Sequence, residues 1–351
     1  MMTELEVAAA LDPHLLVPDG TDRRTFLGAS EVAAVLGLAP TFDGSRQTAY
    51  DVWERKTAET PAAAMDPARA LFLARRKRFE PIIVQMLREE FDAEIIAVNR
   101  RYRDPDVPHF VAEIDFEWMD ETTHPSTIQN GEIKTVSPFT FGTRYGWGEP
   151  GSGDIPVHYE AQTQMGPGVR RRRVCAVAAL VGFDSMVFYK VDALDEVIAS
   201  MRATCGSFWV DNVLKRVPPE PQTSDDLDKL YAKPVKDKAV EATTDVARDA
   251  LRLRAINATI GALEMEKEAC EFTVRHAMKD AEMLVVEGRR IISWKEQRYA
   301  RLDQAALKEQ ENVIWRRYQL RGTERVLKAL KSAPAFEPGT TEGKPEGEPT
   351  S

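Results

Sequence analysis

The predicted fold rests on two stretches of the sequence, Phe110-Val111-Ala112-Glu113-Ile114-Asp115-Phe116-Glu117-Trp118 and Glu132-Ile133-Lys134-Thr135-Val136. In the first stretch, apolar residues occupy every second position and acids stand between them, a period-2 pattern that predicts a β-strand. The second stretch follows a polar loop of turn-forming residues, 122–130, and predicts another strand. The two strands could form a hairpin.

Helical patterns surround this hairpin. Ser30 and Gly37 have the residue types of an N-cap and a C′ position, and they predict a short helix between them. The spacing of apolar residues predicts further helices over 48–56, over 67–91 as one long helix or two in succession, over 159–180 and over 194–214, with a third strand at 187–191. This order predicts an α/β fold in which helices flank a small central sheet.

Changes in composition predict five segments along the chain. They are a flexible lead-in (1–21), a core (22–217), a proline-rich and charged linker (218–240), a mainly helical extension (241–331) and a tail (332–351). The last twenty residues contain four prolines and three glycines, a composition typical of disorder. Within the extension, Ile291 to Trp294 is a candidate strand and 303–331 a last helix.

The composition excludes several classes of protein. The three cysteines show no metal-ligand spacing, which argues against a zinc site, an iron–sulfur cluster or a disulfide framework. No run approaches the length of apolar sequence that a membrane span needs, and the acidic N-terminus does not resemble a signal peptide. We therefore expect a cytoplasmic protein that does not enter a membrane.

The charge is unevenly distributed. The formal net charge is −9, which argues against a protein that coats nucleic acid by charge alone. Basic residues are nevertheless gathered at 23–24, 75–78, 100–103 and 170–173, and such clusters can steer a polyanion into one groove of a net-negative protein. A solvated helix or loop face explains each single cluster equally well.

The hairpin carries the candidate chemistry. Glu132 and Lys134 are two residues apart on a strand, so their side chains share one face, and pairing of the strands would bring Asp115 beside Glu132. Two neighbouring carboxylates suit a hard cation such as Mg²⁺, and a lysine beside it could act on a water and neutralise charge on a phosphoryl oxygen. This arrangement predicts a phosphodiester hydrolysis site, although a surface ion pair would explain Glu132 and Lys134 alone.

Three further features fit around this pair of strands. Glu80, on a preceding helix, could supply a third carboxylate, or it could be an ordinary solvated acid. A helical reading of the segment after the hairpin places Tyr159 and Gln162 on one face near the strand ends. Ser30, at a helix N-terminus, could bind an anion such as a phosphate, or it could be a plain N-cap.

Taken in order, these features resemble the YqaJ-like viral recombinase family, whose members are similar to phage lambda exonuclease within the PD-(D/E)xK nuclease superfamily. The resemblance covers roughly residues 22–215. It departs from the superfamily pattern at Ile114, where a proline is usual, which puts only the strand boundary in doubt. The matching motifs are Gly28-Ala29-Ser30-Glu31-Val32-Ala33-Ala34-Val35-Leu36-Gly37, Tyr50-x-x-Trp53, Phe79-Glu80-Pro81, Ile114-Asp115, Glu132-Ile133-Lys134, Ile155-Pro156 and Tyr159-x-x-Gln162-x-Gln164.

The resemblance implies a restriction-endonuclease-like core and a 5′→3′ double-strand DNA exonuclease of phage-type recombination. It implies Mg²⁺, with Mn²⁺ as a substitute, and as partners duplex DNA ends and a single-strand annealing protein; a homo-oligomer is left open. The implied roles are metal ligation by Glu80, Asp115, Glu132 and Ile133, catalysis by Asp115, Glu132, Lys134 and Gln162, and binding of a 5′ phosphate by Ser30 with Arg23 or Arg24.

Two alternatives remain at this point. The same carboxylates could serve a restriction-like or structure-specific endonuclease, and linear against covalently closed DNA would distinguish it from an exonuclease. The chain could instead be a non-catalytic recombination scaffold. Two acids and a lysine facing a phosphate argue against the scaffold, because a protein that only binds DNA has no use for clustered carboxylates there.

Overall fold

A computed structural model of the protein describes residues 15–42, 45–60, 67–91, 93–120, 124–297 and 303–318. The chain divides into two compact units, with the boundary between Leu230 and Tyr231. No helix of the described residues is both long and apolar enough to cross a membrane. The predicted tail and most of the lead-in fall outside the described residues.

The first unit is an α/β fold with a six-stranded mixed sheet, which confirms the predicted fold class. Its strands in chain order are β1 (Leu27–Gly28), β4 (Glu94–Arg103), β5 (Phe110–Asp120), β6 (His124–Val136), β7 (Val174–Val181) and β8 (Ser185–Asp192). The short strands β2 (Thr41–Phe42) and β3 (Ser45–Arg46) form a separate pair. The main sheet runs β1-β5-β6-β7-β8, and β4 also pairs with β5.

Strands β5 and β6 pair antiparallel as far as Phe116 opposite Gly131, which confirms a hairpin. The prediction of a loop over 122–130 is wrong from residue 124 onward, because β6 begins at His124, and the predicted strand 132–136 pairs with β7 and not with β5. A Cβ atom at Gly131 would lie 2.2 Å from the ring of Phe116. Glycine is therefore required where this ring lies against the neighbouring strand. Beyond Gly131, β6 continues in parallel pairing with β7 as far as Val136 and Val181.

The helices of the first unit cover both faces of the sheet. They are α1 (Val32–Val35), α2 (Ala49–Thr57), α3 (Pro67–Lys77), α4 (Glu80–Glu90), α5 (Val157–Arg170), α6 (Asp195–Ser207), which continues as a π-helix over Phe208–Leu214, and α7 (Ser224–Leu230). One hydrophobic core joins α1, α2, α5 and α6 to the sheet, and another joins α4 to β5, β6 and β7. The segment 67–91 is thus two helices in succession.

The structure corrects the prediction of a helix as far as Leu180. Helix α5 ends at Arg170, because Arg171 takes a left-handed conformation with φ of 53°. The following residues form β7, which is buried along almost its whole length between β6 and β8. A strand buried on both faces has no polar alternation, so its sequence looks like a buried helix.

Part of the segment expected to be a linker belongs to the first unit. Helix α7 lies within it, and its Asp226 is buried and accepts a hydrogen bond from Thr48 Oγ1 at 2.8 Å. Lys229 Nζ contacts Asp51 Oδ1 at 2.5 Å. These contacts anchor α7 to the N-terminal region of α2.

The second unit contains a long helix followed by a hairpin. Its elements are α8 (Thr244–Met278), β9 (Met283–Val286), β10 (Arg289–Ser293), α9 (Gln304–Gln310) and α10 (Asn312–Tyr318). Strands β9 and β10 pair antiparallel. Between them Glu287 and Gly288 both have positive φ, 47° and 76°, the geometry of a type I′ hairpin turn. Asp303 caps α9, since its Oδ1 accepts from the Ala306 N–H at 2.9 Å.

Candidate active site

The site lies where β6 parts from β5. The edge of β5 that faces β6 also pairs with β1, through Phe110 and Val111, whereas β4 occupies the opposite edge. In the described part of the chain no strand pairs with this edge over residues 112–115. There the Ile133 backbone N–H donates to Asp115 Oδ2 at 2.7 Å, so a side chain takes the place of a strand's hydrogen bond.

Glu132, Lys134 and Gln162 form a closed triangle of hydrogen bonds beside Asp115. Lys134 Nζ donates to Glu132 Oε2 at 2.9 Å and to Gln162 Oε1 at 3.0 Å. Gln162 Nε2 donates to the same Glu132 oxygen at 2.7 Å. The ring of Tyr159, one helical turn before Gln162 on α5, has its centroid 5.2 Å from Lys134 Nζ. The four catalytic candidates of the sequence are thus neighbours.

Burial dominates the electrostatics of this cluster. It raises the pKa of Glu132 to about 7, against the opposing effect of Lys134 and with help from the charge of Asp115. Burial also raises the pKa of Asp115. Burial alone would lower the pKa of Lys134, but the carboxylates of Glu132 and Asp115 outweigh it, so that pKa is raised. Lys134 is therefore a fixed ammonium ion at neutral pH.

Glu80 lies near the pair but outside it. It is the first residue of α4, and its Oε2 is 3.8 Å from Lys77 Nζ, which is also 4.0 Å from Glu113 Oε1. Its pKa is raised by burial and, more weakly, by the charge of Asp115. No three Asp, Glu, His or Cys side chains converge at metal-ligand spacing anywhere in the described ranges.

The residues present nevertheless fit a hard divalent cation. The half-buried Asp115 and the buried Glu132 lie on adjacent strands, both have a raised pKa, and Lys134 is the positive charge that acts most strongly on each of them. Mg²⁺ in proteins commonly takes one or two carboxylates and keeps several waters, so Asp115 and Glu132 suffice as its protein carboxylates. Ile133 can offer only its backbone carbonyl, because its side chain is buried in the core beneath α4.

Ser30 is exposed and lies on the same side of the molecule as Gln162. The two line a cleft of about 470 Å³ together with His158, Tyr159, Arg46 and Arg69. They also line a small cavity of about 40 Å³ with Arg23, Arg101 and Glu113. The structure thus places Ser30 and Arg23 around one cavity with Gln162.

Arg24 and the N-cap prediction need correction. Arg24 is bound to the carboxylate of Asp22 and donates to the carbonyl oxygens of Ala58 and Glu59, so its guanidinium faces a different cavity. Ser30 is not the N-cap, because a 3₁₀ turn begins after Gly28 and includes Ser30. The Gly28 N–H is instead satisfied by Glu31 Oε2 at 3.0 Å.

Sequence reasoning missed the support of this turn and part of the cleft. Glu31 Oε2 also pairs with the buried Lys56 Nζ at 2.6 Å, which fixes the turn that presents Ser30. His158 lines the cleft, and burial lowers its pKa. Its place one residue before Tyr159 was a usable signal, whereas the Glu31–Lys56 pair spans 25 residues and gives no local signal.

The sequence matches the model of a known domain family and the sequence of a named bacterial protein. Residues 21–166 match the model of the YqaJ-like viral recombinase domain, which confirms the predicted resemblance. The chain is 25% identical over 298 residues to the "Uncharacterized protein YqaJ" of Bacillus subtilis (strain 168), covering 82% of this chain and 86% of that protein.

Solved structures give a weaker likeness. The alkaline exonuclease LHK-Exo from Laribacter hongkongensis matches with a TM-score of 0.39 at 14% identity, over 60% of this chain and 95% of that one. The complex of LHK-Exo with dAMP matches with a TM-score of 0.40 at the same identity and coverage.

Proposed function

We propose that this chain, in which residues 21–166 match a YqaJ-like viral recombinase domain, is a metal-dependent 5′→3′ exonuclease that digests duplex DNA ends in phage-type recombination. The observation that carries the proposal is the cluster of Asp115, Glu132, Lys134 and Gln162 at the parting of β5 and β6.

In this proposal Asp115 and Glu132 hold the cation, with Glu80 as a further carboxylate that can approach it. Mg²⁺, or Mn²⁺ in its place, supplies Lewis-acid activation of the scissile phosphate and of the attacking water. The phosphate enters the cleft from the side of Ser30, where the basic residues Arg46 and Arg69 line the wall.

The remaining roles follow from the hydrogen bonds. Lys134 is charged, so it stabilises the negative charge that develops on the phosphoryl oxygens rather than accepting a proton. Gln162 uses both ends of its amide to fix Lys134 and Glu132 relative to each other. Ser30 and Arg23 can bind the terminal phosphate through charge-assisted hydrogen bonds. An annealing protein that receives the product strand would complete the recombination reaction.

The test uses linear duplex with a 5′ phosphate, the same duplex with a 5′ hydroxyl, and covalently closed circular duplex, each with Mg²⁺ or EDTA. We expect shortening of the linear phosphorylated duplex with Mg²⁺ only, and release of nucleotides from the 5′ strand. Cutting of the closed circle would instead favour an endonuclease. DNA binding without any cleavage would favour the scaffold.

Substitutions connect that activity to the cluster. Asp115→Asn should abolish both cleavage and calorimetric Mg²⁺ binding, because it removes one of two carboxylates. Lys134→Ala should keep most Mg²⁺ binding and lower turnover by roughly 10²- to 10⁴-fold, the range for losing a charge-stabilising or proton-transfer group. The matched controls are Glu94→Gln and Lys215→Ala, exposed residues of the same unit outside the cleft. Wild-type turnover in Lys134→Ala would refute the assignment.

A further inference from the structure

The second unit presents a long helix with an exposed apolar stripe. Helix α8 has 35 residues, which at 1.5 Å per residue gives a length of about 52 Å. Leu253, Ile256, Ile260 and Leu263 lie along it and are 37%, 45%, 47% and 58% exposed. These four residues cover positions 253–263, about 16 Å of the helix. A row of exposed apolar side chains along one side of a helix marks a place where another element packs.

The stripe has the spacing of a coiled-coil seam. Its positions alternate in steps of three and four residues, which is the a and d pattern of the heptad repeat. The seam continues at both ends of the four apolar residues. In order it contains Val246, Asp249, Leu253, Ile256, Ile260, Leu263, Lys267 and Cys270. One acid and one base therefore stand in the seam, each one step outside the apolar centre.

The seam is symmetric about Ala258, and this symmetry favours a second copy of the same helix as its partner. In an antiparallel pair of α8 helices crossing at Ala258, Leu253 faces Leu263 of the second copy and Ile256 faces Ile260. In the same register Asp249 faces Lys267, and Val246 faces Cys270. In a parallel pair each seam residue would face its own copy, so two Asp249 carboxylates and two Lys267 ammonium groups would oppose each other. Like charges in facing positions are unfavourable.

We propose that α8 binds the α8 of a second copy of this chain as an antiparallel coiled coil centred on Ala258. Residues beside the seam agree with this register, because Arg252 of one helix and Glu266 of the other come to the same flank with opposite charge. The pairing is independent of the proposed nuclease activity, since the residues involved all belong to the second unit.

The seam charges are available for this pairing. Lys267 Nζ lies 3.7 Å from Glu271 Oε1, and Asp249 Oδ1 lies 3.6 Å from Arg248 Nε. Both ion pairs are long and solvent-exposed, and such pairs contribute little free energy. Exchanging them for an Asp249–Lys267 pair at the edge of an apolar seam therefore costs the single copy little.

The first experiment measures register by cross-linking. Cys175 and Cys205 are buried and Cys270 is exposed, so Val246→Cys in the full chain should form a covalent dimer with a short bis-maleimide. The unmutated chain and Val246→Cys with Cys270→Ala should remain uncross-linked. A dimer formed by the unmutated chain through Cys270 alone would show a parallel pair and overturn the proposal.

The second experiment measures self-association by sedimentation equilibrium. The unmutated chain should dimerise, and Ile256→Asp should have the mass of one chain at the same concentration. Ala258→Asp is the matched control, because it places the same charge two residues further along the helix, on the face opposite the seam. Equal dissociation constants for the two variants, or an unmutated chain that stays monomeric at tens of micromolar, would overturn the proposal.

A charge exchange adds a test that does not touch the apolar residues. Asp249→Lys places two lysines in each outer layer and should raise the dissociation constant by about ten-fold or more, as expected for like charges in a packed interface. Adding Lys267→Asp should restore it, because the layer regains opposite charges. A double variant as weak as the single one would exclude this register, and circular dichroism checks that the helix is retained in every variant.

Discussion

Glu132→Gln should remove a pH dependence of stability that the site itself imposes. The carboxyl has an ordinary pKa of 4.5, which its burial raises to about 7 in the folded chain. Between these values the folded chain binds more protons than the unfolded chain, so the free energy of unfolding falls as the pH rises. Below pH 4.5 the Glu132 carboxyl is protonated in both states and does not lower the free energy of unfolding. Above pH 7 it is ionised in both states and lowers the free energy of unfolding by the full amount.

The size of the effect follows from the shift. At about 1.4 kcal/mol per pKa unit, the full cost is about 3 kcal/mol, of which about 2 to 3 kcal/mol falls between pH 5 and pH 8. Asp115 shifts in the same direction and adds to the slope, whereas Lys134 contributes only above its ordinary pKa of 10.5. A glutamine at 132 keeps the acceptor for Lys134 and Gln162 but cannot ionise.

The assay is urea unfolding of the full chain in EDTA at pH 5, 6, 7 and 8, and the transition of the first unit is the one measured. The unmutated chain should lose stability over this range, and Glu132→Gln should lose about 2 to 3 kcal/mol less than it does. Glu94→Gln, an exposed acid on the neighbouring part of the sheet, should follow the unmutated chain. If the free energy of unfolding of Glu132→Gln falls as steeply with pH as that of the unmutated chain, Glu132 is not the buried carboxylate of raised pKa that the proposed cation site requires.

Three further outcomes are expected. The preference for a 5′ phosphate over a 5′ hydroxyl, measured as the ratio of initial degradation rates, should disappear in Ser30→Ala with Arg23→Ala and persist in Arg24→Ala; a loss in the last variant alone would reverse the assignment. Gly131→Ala should lower the free energy of unfolding by about 1 to 3 kcal/mol or more, the cost of overpacking against the ring above it, and an unchanged urea midpoint would contradict the register. A chain ending at Leu230 should keep metal-dependent cleavage, whereas one ending at 214 should be less stable to heat because α7 is missing; equal melting temperatures would show that α7 adds nothing.

Local pattern was sufficient where polar and apolar residues alternate along a strand, even though the alternating acids of β5 are partly buried and Glu117 is fully buried. Strand β5 alternates acids with apolar residues, so its period could be read directly. Glu132 and Lys134 are two residues apart on β6, so once that segment was read as a strand their shared face followed. Strand β7 could not be identified in this way, because its neighbours on both sides bury every residue from Val174 to Leu180. Its partners, and not its own polarity, determine that it is extended.

The binding side of the site was less accessible to sequence reasoning for a similar reason. Arg23 and Arg24 are adjacent and chemically identical, and only the hydrogen bonds of Arg24 to Asp22, Ala58 and Glu59 separate their directions. Those partners lie on two segments more than thirty residues apart. A pattern within either segment could not have distinguished the two arginines.

The position of the candidate site is a consequence of topology more than of any single motif. Strand β5 is shared along one edge by β6 and β1, and among the described residues these two leave that edge unpaired over 112–115, whereas β4 pairs with the opposite edge. An unpaired stretch inside a sheet exposes backbone groups that must be satisfied, and here the Asp115 carboxylate satisfies the Ile133 N–H. Strand β1 pairs with β5 at the end of this opening, and the turn that follows β1 places Ser30 in a cavity that Gln162 also lines. If β6 paired with β5 along residues 112–115, neither the Asp115–Glu132 pair nor the cleft beside Ser30 could form. The proposed cation site and the proposed phosphate site therefore both depend on the position at which β6 leaves β5.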